Sequence, residues 1–196
     1  KTPLLCYFLS NFNTPEYYRI DDKPVVMIWS PAGMDSDIIE KEKKRGHALK
    51  RGEGCKQLLD LSQAMAIKAG YKGIYFVAMK FPEASTDVTD IQWLADAGFE
   101  MTSIYHFMED GGKASDRRKF NFDLVVDASK PWWERRNTAG ILPFLPNLST
   151  GWDDRPWNDH LWISERTPHK FSEICRQFQQ FSKESGIKRA LLAPVN

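Results

Sequence analysis

One order of elements recurs along the chain and limits its fold more than any other feature. Four times, a segment with apolar residues at helical spacing ends at a glycine, and a short apolar run follows at once. Glycine tolerates the left-handed backbone conformation that closes many helices, so each glycine marks a helix end. An earlier apolar run, VVMIW, adds a further segment. The sequence therefore predicts helices that alternate with five strands, at residues 25–29, 73–79, 99–107, 141–145 and 190–195.

Strands separated by helices that return to the same edge run parallel and are joined by right-handed crossovers. This order favours an α/β fold of the (β/α)8 TIM-barrel type. A complete barrel needs about 250 residues. The chain has 196 residues, opens at Lys1 without a methionine and stops at Asn196 after an apolar run, so we expect it to carry about strands 4 to 8 of such a barrel. Residues 1–196 are thus expected to form one barrel domain, truncated at both ends. The alternative is an open parallel α/β sheet, although no glycine-rich phosphate motif follows any strand.

The composition excludes several classes of partner. Hydrophobic residues make up 42%, charged residues 27%, and the formal net charge is +1, so no overall field would attract nucleic acid. No run of about 18 apolar residues is present, so no membrane span is expected. Cys6, Cys55 and Cys175 lack CxxC spacing, which indicates plain thiols rather than a zinc site or a disulfide scaffold. Neither a metal nor an organic cofactor is expected.

Three segments carry predictions about packing. The strand at 25–29 is apolar throughout and is expected to be fully buried. The charge-dense segment at 35–56 is expected to be a solvated helix and loop. The helix that follows it and ends at Gly70 is expected to pack through a set of apolar residues: Leu58, Leu59, Leu61, Ala64, Met65, Ile67 and Ala69.

The densest chemistry follows the strand at 141–145, in the segment GWDDRPW. Trp152 and Trp157 offer flat apolar faces, Asp153 and Asp154 offer hydrogen-bond acceptors or a titratable proton, and Arg155 offers a planar fork of donors. This mixture suits a polyhydroxylated ligand such as a sugar. The alternative is a rim loop held together by an Asp–Arg pair, with the tryptophans packed beneath it.

In barrels, active sites lie where the strands end, at the C-terminal face. Glycoside hydrolysis usually needs two carboxyl groups, one protonated and one ionised. Asp153 with either Glu109 or Asp110 is predicted to supply this pair. The predicted substrate-binding residues are Trp29, Lys80, His106, Asn147, Trp152, Asp154, Arg155, Trp157 and Asn196.

Some of these residues have equally good structural interpretations. His106 alternates along its strand in a way that also fits a core histidine. Lys80 could form a rim ion pair with Glu83 or Glu109 instead of binding a sugar. Trp132 and Trp133 fall in a helical pattern and are expected to be packing residues rather than ligand contacts.

Three motifs resemble a known family. PEYYRIDDKPVVMIW at 15–29, GWDDRPW at 151–157 and LLAPVN at 191–196 are similar to the glycoside hydrolase family 99-like barrels, which include WbsX-like proteins and relatives of the endo-α-mannosidases. The resemblance implies a barrel, a carbohydrate ligand and a periplasmic or extracellular location.

The chain departs from that family at one catalytic position. In the endo-mannosidases a histidine and two catalytic glutamates follow the fourth strand, whereas SPAG follows Trp29 here. The family's last strand also continues into a tryptophan and glutamate motif, which would come after Asn196. The resemblance therefore supports barrel and carbohydrate more strongly than any particular cleavage.

The sequence leads to one main functional hypothesis and two alternatives. The main hypothesis is a glycoside hydrolase that acts on an oligo- or polysaccharide through paired carboxylates at the C-terminal face of the barrel. The alternatives are a barrel that binds carbohydrate without hydrolysing it and a glycosyl transfer protein of polysaccharide biosynthesis.

Overall fold

Helices and short strands alternate along the chain in the computed structural model, which describes residues 4–79, 91–104, 119–153, 155–156 and 162–193. The chain divides into two units. The first contains residues 1–79 and 90–102, and the second contains residues 80–89 and 103–196. Each unit has its own strands and packed helices.

The first unit is organised around parallel pairing of two strands. Val25 to Ile28 lie opposite Tyr75 to Ala78 in parallel register, and a short antiparallel strand pairs with residues 23 and 24. The strand order is β1-β2-β3-β4. The elements are α1 (Leu4–Asn11), β1 (Arg19–Ile20), β2 (Lys23–Ile28), α2 (Pro31–Lys44), α3 (Glu53–Lys68), β3 (Tyr75–Met79), α4 (Gln92–Ala97) and β4 (Met101–Ser103), whose last residue belongs to the second unit.

The second unit contains two further parallel strand pairs. Its elements are β5 (Lys119–Asn121), α5 (Phe122–Ala139), β6 (Phe144–Leu145), β7 (Asn147–Ser149), β8 (Trp162–Ser164), α6 (Pro168–Ser185) and β9 (Leu191–Ala193). Strand β5 pairs with β8, and β7 pairs with β9. The described residues therefore confirm a mixed α/β chain with mostly parallel strand pairing.

The predicted helix signals explain where these helices begin and end. Thr167 precedes α6, and its hydroxyl accepts a hydrogen bond from the backbone N–H of Lys170 at 3.2 Å. This bond satisfies one of the N–H groups that have no partner within the helix. At the other ends, Gly98, Gly140 and Gly186 adopt the left-handed conformation directly after α4, α5 and α6, as predicted.

The core of the second unit lies between α5 and α6. Trp133 is fully buried, and its ring contacts Phe178 edge to face at 6.0 Å and Phe181 at 5.8 Å between centroids. Trp132 is also buried and lies 5.3 Å from the ring of Phe144. Both tryptophans are packing residues, as the helical pattern predicts.

Two packing predictions are wrong. Strand β2 alternates instead of being fully buried: Val26 is buried, while Met27 is 37% and Trp29 51% exposed. Successive side chains of a strand point to opposite faces. Val25, on the same face as Met27, packs against the cluster of Ile20, Tyr75 and Val77, so that face is covered near the start of the strand and exposed further along. In α3, Leu58, Leu61 and Ile67 are 39%, 58% and 60% exposed. Of the predicted set Leu59 is buried, and the rest of the buried side is formed by small residues, namely Gly54, Cys55, Ser62 and Ala66.

The charge-dense segment behaves as predicted over most of its length. It contains α2 and a loop whose charged side chains are mostly exposed and paired with one another. Glu42, for example, accepts hydrogen bonds from Arg45 at 2.6 Å and pairs with the ring Nδ1 of His47 at 2.7 Å. The exception within this segment is Asp35, which is buried.

The region after β6 contains more structure than predicted. The sequence analysis places a long loop between residue 145 and Ser164, but β7 and β8 both lie in this interval. Strand β5 is also absent from the prediction. Each of these strands has three residues, too few for alternation to give a periodic signal. No helix among the described residues is long and apolar enough to cross a membrane.

Candidate functional site

The segment that follows β7 lies against β8. The backbone N–H of Ile163 donates to the carbonyl of Trp152 at 2.8 Å, and Asp153 forms an antiparallel bridge with Trp162. The turn into this segment is closed by the Gly151 N–H, which donates to the Ser149 hydroxyl at 3.2 Å. Backbone hydrogen bonds on a neighbouring strand therefore hold Asp153 in place.

Asp153 and Arg155 form a two-point ion pair. The Arg155 Nε donates to Oδ1 of Asp153 at 2.8 Å, and Nη2 donates to Oδ2 at 2.6 Å. The backbone N–H of Arg155 also donates to Oδ1, at 3.2 Å. The Asp153 side chain is 14% exposed and the Arg155 side chain 46%. The carboxylate is thus nearly covered, while about half of the Arg155 side chain is exposed.

One aromatic ring contacts this ion pair, and a second ring of the segment packs against the core. The guanidinium carbon of Arg155 lies 4.2 Å from the ring centroid of Trp162, within the range of a cation–π contact. Trp152 is partly buried and packs against the core of the second unit. The arrangement matches the Asp–Arg pair that the sequence analysis gives as its alternative, and it also presents charge and ring surface together.

The ion pair lowers the pKa of Asp153. The hydrogen bonds from the Arg155 guanidinium lower the pKa of the Asp153 carboxyl to about 2. Hydrogen bonds to the charged form of an acid stabilise that form. At neutral pH Asp153 is therefore ionised, which suits a base, a nucleophile or a hydrogen-bond acceptor and excludes a proton donor.

Asn147 has a supporting position rather than an exposed one. Its side chain is fully buried, and its amide donates to the carbonyl of Ile104 at 3.0 Å. Ser103 makes a similar contact, from its hydroxyl to the carbonyl of Leu145 at 2.9 Å. These two bonds connect the end of β4 to β6 and β7. The Asn147 side chain is thus a buried link between these strands, and its predicted role in ligand binding stays a prediction.

Sequence reasoning missed a charged cluster at the C-terminal ends of β5 and β8. Lys170 contacts the carboxylates of Asp123 at 2.8 Å and Glu165 at 3.5 Å, and the amide of Asn121 donates to Glu165 at 3.2 Å. The hydrogen bond to Asp123 is the main cause of a raised pKa at Lys170. Glu165 has a φ of 56°, which is uncommon for a residue other than glycine. The sequence signal for this cluster is a charged residue directly after a strand, and β8 is too short to be predicted as one.

Arg166 was also missed, although it lies beside Asp153. Its side chain passes over Gly151, where a Cβ placed on that glycine would lie 2.5 Å from Cδ of Arg166. Its charge contributes to the lowered pKa of Asp153. Two guanidinium groups, those of Arg155 and Arg166, therefore lower the pKa of one described carboxylate.

The remaining predicted residues fall into two groups. Trp29 belongs to the first unit, where it is 51% exposed. The others lie outside the described residues, so their predicted roles stay predictions: Lys80, His106, Glu109, Asp110, Asp154, Trp157 and Asn196. Among the side chains that the structure describes, no group of three or more His, Cys, Asp or Glu is arranged to hold a metal ion.

Comparisons with protein-family models, with curated proteins and with solved structures found no match to this chain. The interpretation of the site therefore depends on its own chemistry and on the sequence resemblance given above.

Proposed function

We propose that this chain belongs to a glycoside hydrolase with an α/β-barrel fold, and that the segment after β7 binds the carbohydrate. The observation that carries this proposal is the ionised, nearly covered Asp153, held by Arg155 beside the ring of Trp162. Carboxylate and guanidinium groups hydrogen-bond sugar hydroxyls, and aromatic rings cover the apolar faces of sugars. The parallel pairing of β7 with β9 is consistent with two neighbouring barrel strands.

In this proposal Asp153 is the ionised member of the carboxyl pair. A glycosidase also needs a carboxyl group with a raised pKa, which protonates the leaving oxygen. The lowered pKa of Asp153 excludes it from that role. We assign the proton donor to Glu109 or Asp110, which the sequence places after the predicted strand at 99–107.

The same ion pair also favours a second candidate, a barrel that binds a glycan without cleaving it. Both oxygens of Asp153 accept hydrogen bonds from Arg155, which reduces the availability of its lone pairs for attack on a sugar carbon. In this alternative the pair serves only to hydrogen-bond hydroxyl groups. The two candidates differ in turnover but not in binding.

A reducing-end release assay on α-mannans and on acidic and sulfated polysaccharides, run beside a binding measurement, tests both candidates. For the hydrolase we expect release that Asp153→Asn reduces by at least about a hundredfold, within the range that one catalytic carboxyl supplies. Asp127→Asn, an exposed aspartate on α5 of the same unit, is the matched control and should retain activity.

Each outcome selects one candidate. Release that is lost in Asp153→Asn while glycan binding persists supports the hydrolase. Binding without release by the unmodified chain, weakened by Trp152→Ala, supports the non-hydrolytic barrel. If the folded chain binds none of these glycans, both candidates are wrong.

A further inference from the structure

A second arginine lies near the ion pair of the segment after β7. The Asp153 carboxylate already accepts hydrogen bonds from Nε and Nη2 of Arg155. Arg166, a second guanidinium, lies close enough to influence the Asp153 carboxyl. Among the described residues, no carboxylate lies within ion-pair distance of Arg166, which is exposed. Arg166 thus offers an exposed guanidinium next to Gly151, in the same segment as Asp153.

The fold fixes the position of Arg166 at its stem. Cγ and Cδ of Arg166 lie over Gly151, at 3.3 Å and 2.5 Å from where a Cβ would be, so any larger residue there would displace them. Gly151 also has a φ of 107°, which side chains other than hydrogen rarely adopt. The absence of a side chain at Gly151 thus leaves the space in which the Arg166 stem packs.

The neighbouring carboxylate points to a different partner. Glu165 precedes Arg166, but its Oε2 accepts from the Asn121 amide at 3.2 Å and lies 3.5 Å from the ammonium of Lys170. The left-handed conformation at Glu165, with φ of 56°, accompanies this arrangement. The carboxylate nearest in sequence is thus directed to β5 and α6, and the Arg166 guanidinium remains available to a ligand.

We infer that Arg166 binds an anionic substituent of the glycan, a carboxylate or a sulfate ester, beside the Asp153–Arg155 pair. The inference rests on the proposed carbohydrate function and names its substrate class, an acidic oligo- or polysaccharide. A guanidinium presents a planar fork that matches the two oxygens of either group. The ion pair then contacts neighbouring hydroxyl groups, so charge and hydroxyl recognition occur on one sugar residue or on two adjacent ones.

The test is calorimetric titration of the 196-residue chain with three oligosaccharides of equal length: a neutral α-manno-oligosaccharide, an oligouronate and a sulfated α-manno-oligosaccharide. We expect at least one acidic probe to bind more tightly than the neutral one. Arg166→Gln should weaken binding of that probe about tenfold or more, as expected for loss of a hydrogen bond to a charged group. Binding of the neutral probe should not change.

Two further variants separate a binding role from a general effect of charge or folding. Arg189→Gln removes the same charge from an exposed arginine directly before β9, at the opposite end of the strand from the site, and should leave all three affinities unchanged. Arg166→Lys keeps the charge without the fork and should recover part of the lost affinity. Urea unfolding of each variant confirms that it is folded.

The outcomes distinguish failure of this inference from failure of the proposed function. Equal binding of neutral and acidic probes, or equal weakening of both by Arg166→Gln, overturns the inference and leaves the carbohydrate proposal intact. A folded chain that binds none of the three probes overturns the carbohydrate proposal and the inference together. Preference for the oligouronate or for the sulfated probe supports the inference and identifies the anionic group.

Discussion

Two aspartates, one in each unit, show how the same side chain is stabilised in different ways. Asp35 is only 3% exposed, and its carboxylate accepts from the backbone N–H groups of Gly52 at 2.8 Å and Cys55 at 2.9 Å. Asp153 accepts its side-chain hydrogen bonds from the guanidinium of Arg155, which is 46% exposed. One carboxylate is paired with the main chain, the other with a solvent-facing side chain.

The difference separates a structural role from a binding role. Backbone donors cannot move without moving the chain, so Asp35 on α2 holds the start of α3 in place. Burial raises the pKa of the neighbouring Cys55 thiol to about 12, so this thiol stays protonated at neutral pH. A guanidinium on a flexible side chain can instead exchange part of its hydrogen bonding with water or a sugar hydroxyl. In the proposed function, the ion pair of Asp153 is therefore the one that contacts the glycan.

Replacing Asp35 should have the largest effect on stability. Asp35→Ala leaves two buried backbone N–H groups without acceptors, and we expect the free energy of unfolding to fall by about 3 kcal/mol. Urea denaturation measures this as a lower midpoint with an unchanged slope. Asp37→Ala, an exposed aspartate on the same helix, should change the free energy by less than about 0.5 kcal/mol. Equal effects of the two changes would contradict the structural role.

The close approach of α2 to α3 should make Gly54→Ala the next most damaging change. A Cβ at Gly54 would lie 2.9 Å from the carbonyl oxygen of Asp35 and 3.0 Å from the Cβ of Ile38. Overpacking of this kind costs about 1–3 kcal/mol in unfolding free energy. In the double variant with Asp35→Ala, the loss of unfolding free energy should be smaller than the sum of the two single losses. The reason is that Asp35→Ala removes Oδ1, one of the atoms that the new Cβ would contact. Full additivity would argue against this contact as the cause.

In the second unit, Gly151→Ala should destabilise moderately and also disturb the site. The change combines an unfavourable φ of 107° with displacement of the Arg166 stem. We expect a loss of about 1–2 kcal/mol. Gly186→Ala is the matched control, because its φ of 75° is also positive but a Cβ there meets nothing within 4 Å. Only Gly151→Ala should weaken glycan binding. Unchanged binding in this variant would show that the position of Arg166 does not matter for the glycan.

The ionisation of Asp153 should have the smallest effect near neutral pH. Its pKa in the folded chain is about 2, below the value of about 3.9 for an unperturbed aspartate. The ion pair therefore contributes fully above about pH 4 and is lost as pH falls toward about 2. A carboxyl-carbon NMR titration should show no change for Asp153 between about pH 5 and pH 8. Arg155→Gln should move its midpoint up toward the usual value, and a midpoint that stays low would contradict the assigned cause.

Local patterns were sufficient to predict most helices and the parallel strands of the first unit. The glycines after α4, α5 and α6 predict the helix ends reliably, because the left-handed conformation is a property of the residue and its immediate neighbours. The chemistry of Asp153 and Arg155 was also visible, since the two residues lie close together in sequence. Their pairing required no distant contact.

Other features could not be predicted, because they depend on partners far away in sequence. Strands β5, β7 and β8 are too short to show periodicity, and they are defined by pairing with one another and with β9. The buried side of α3 is set by small residues that allow close approach, while larger apolar side chains remain exposed. Composition alone favours the larger side chains for the core.

By itself, the sequence determined the α/β class, the helix ends and the presence of an acid, an arginine and aromatic rings in one segment. Only the tertiary structure decided that Asp153 pairs with Trp162 on β8, that Asn147 is buried and that Arg166 lies over Gly151. Helix ends depend on the conformational preferences of single residues and their neighbours. A bridge between strands, a buried amide and the packing of an arginine over a glycine depend on distances between atoms that the chain brings together only when it folds.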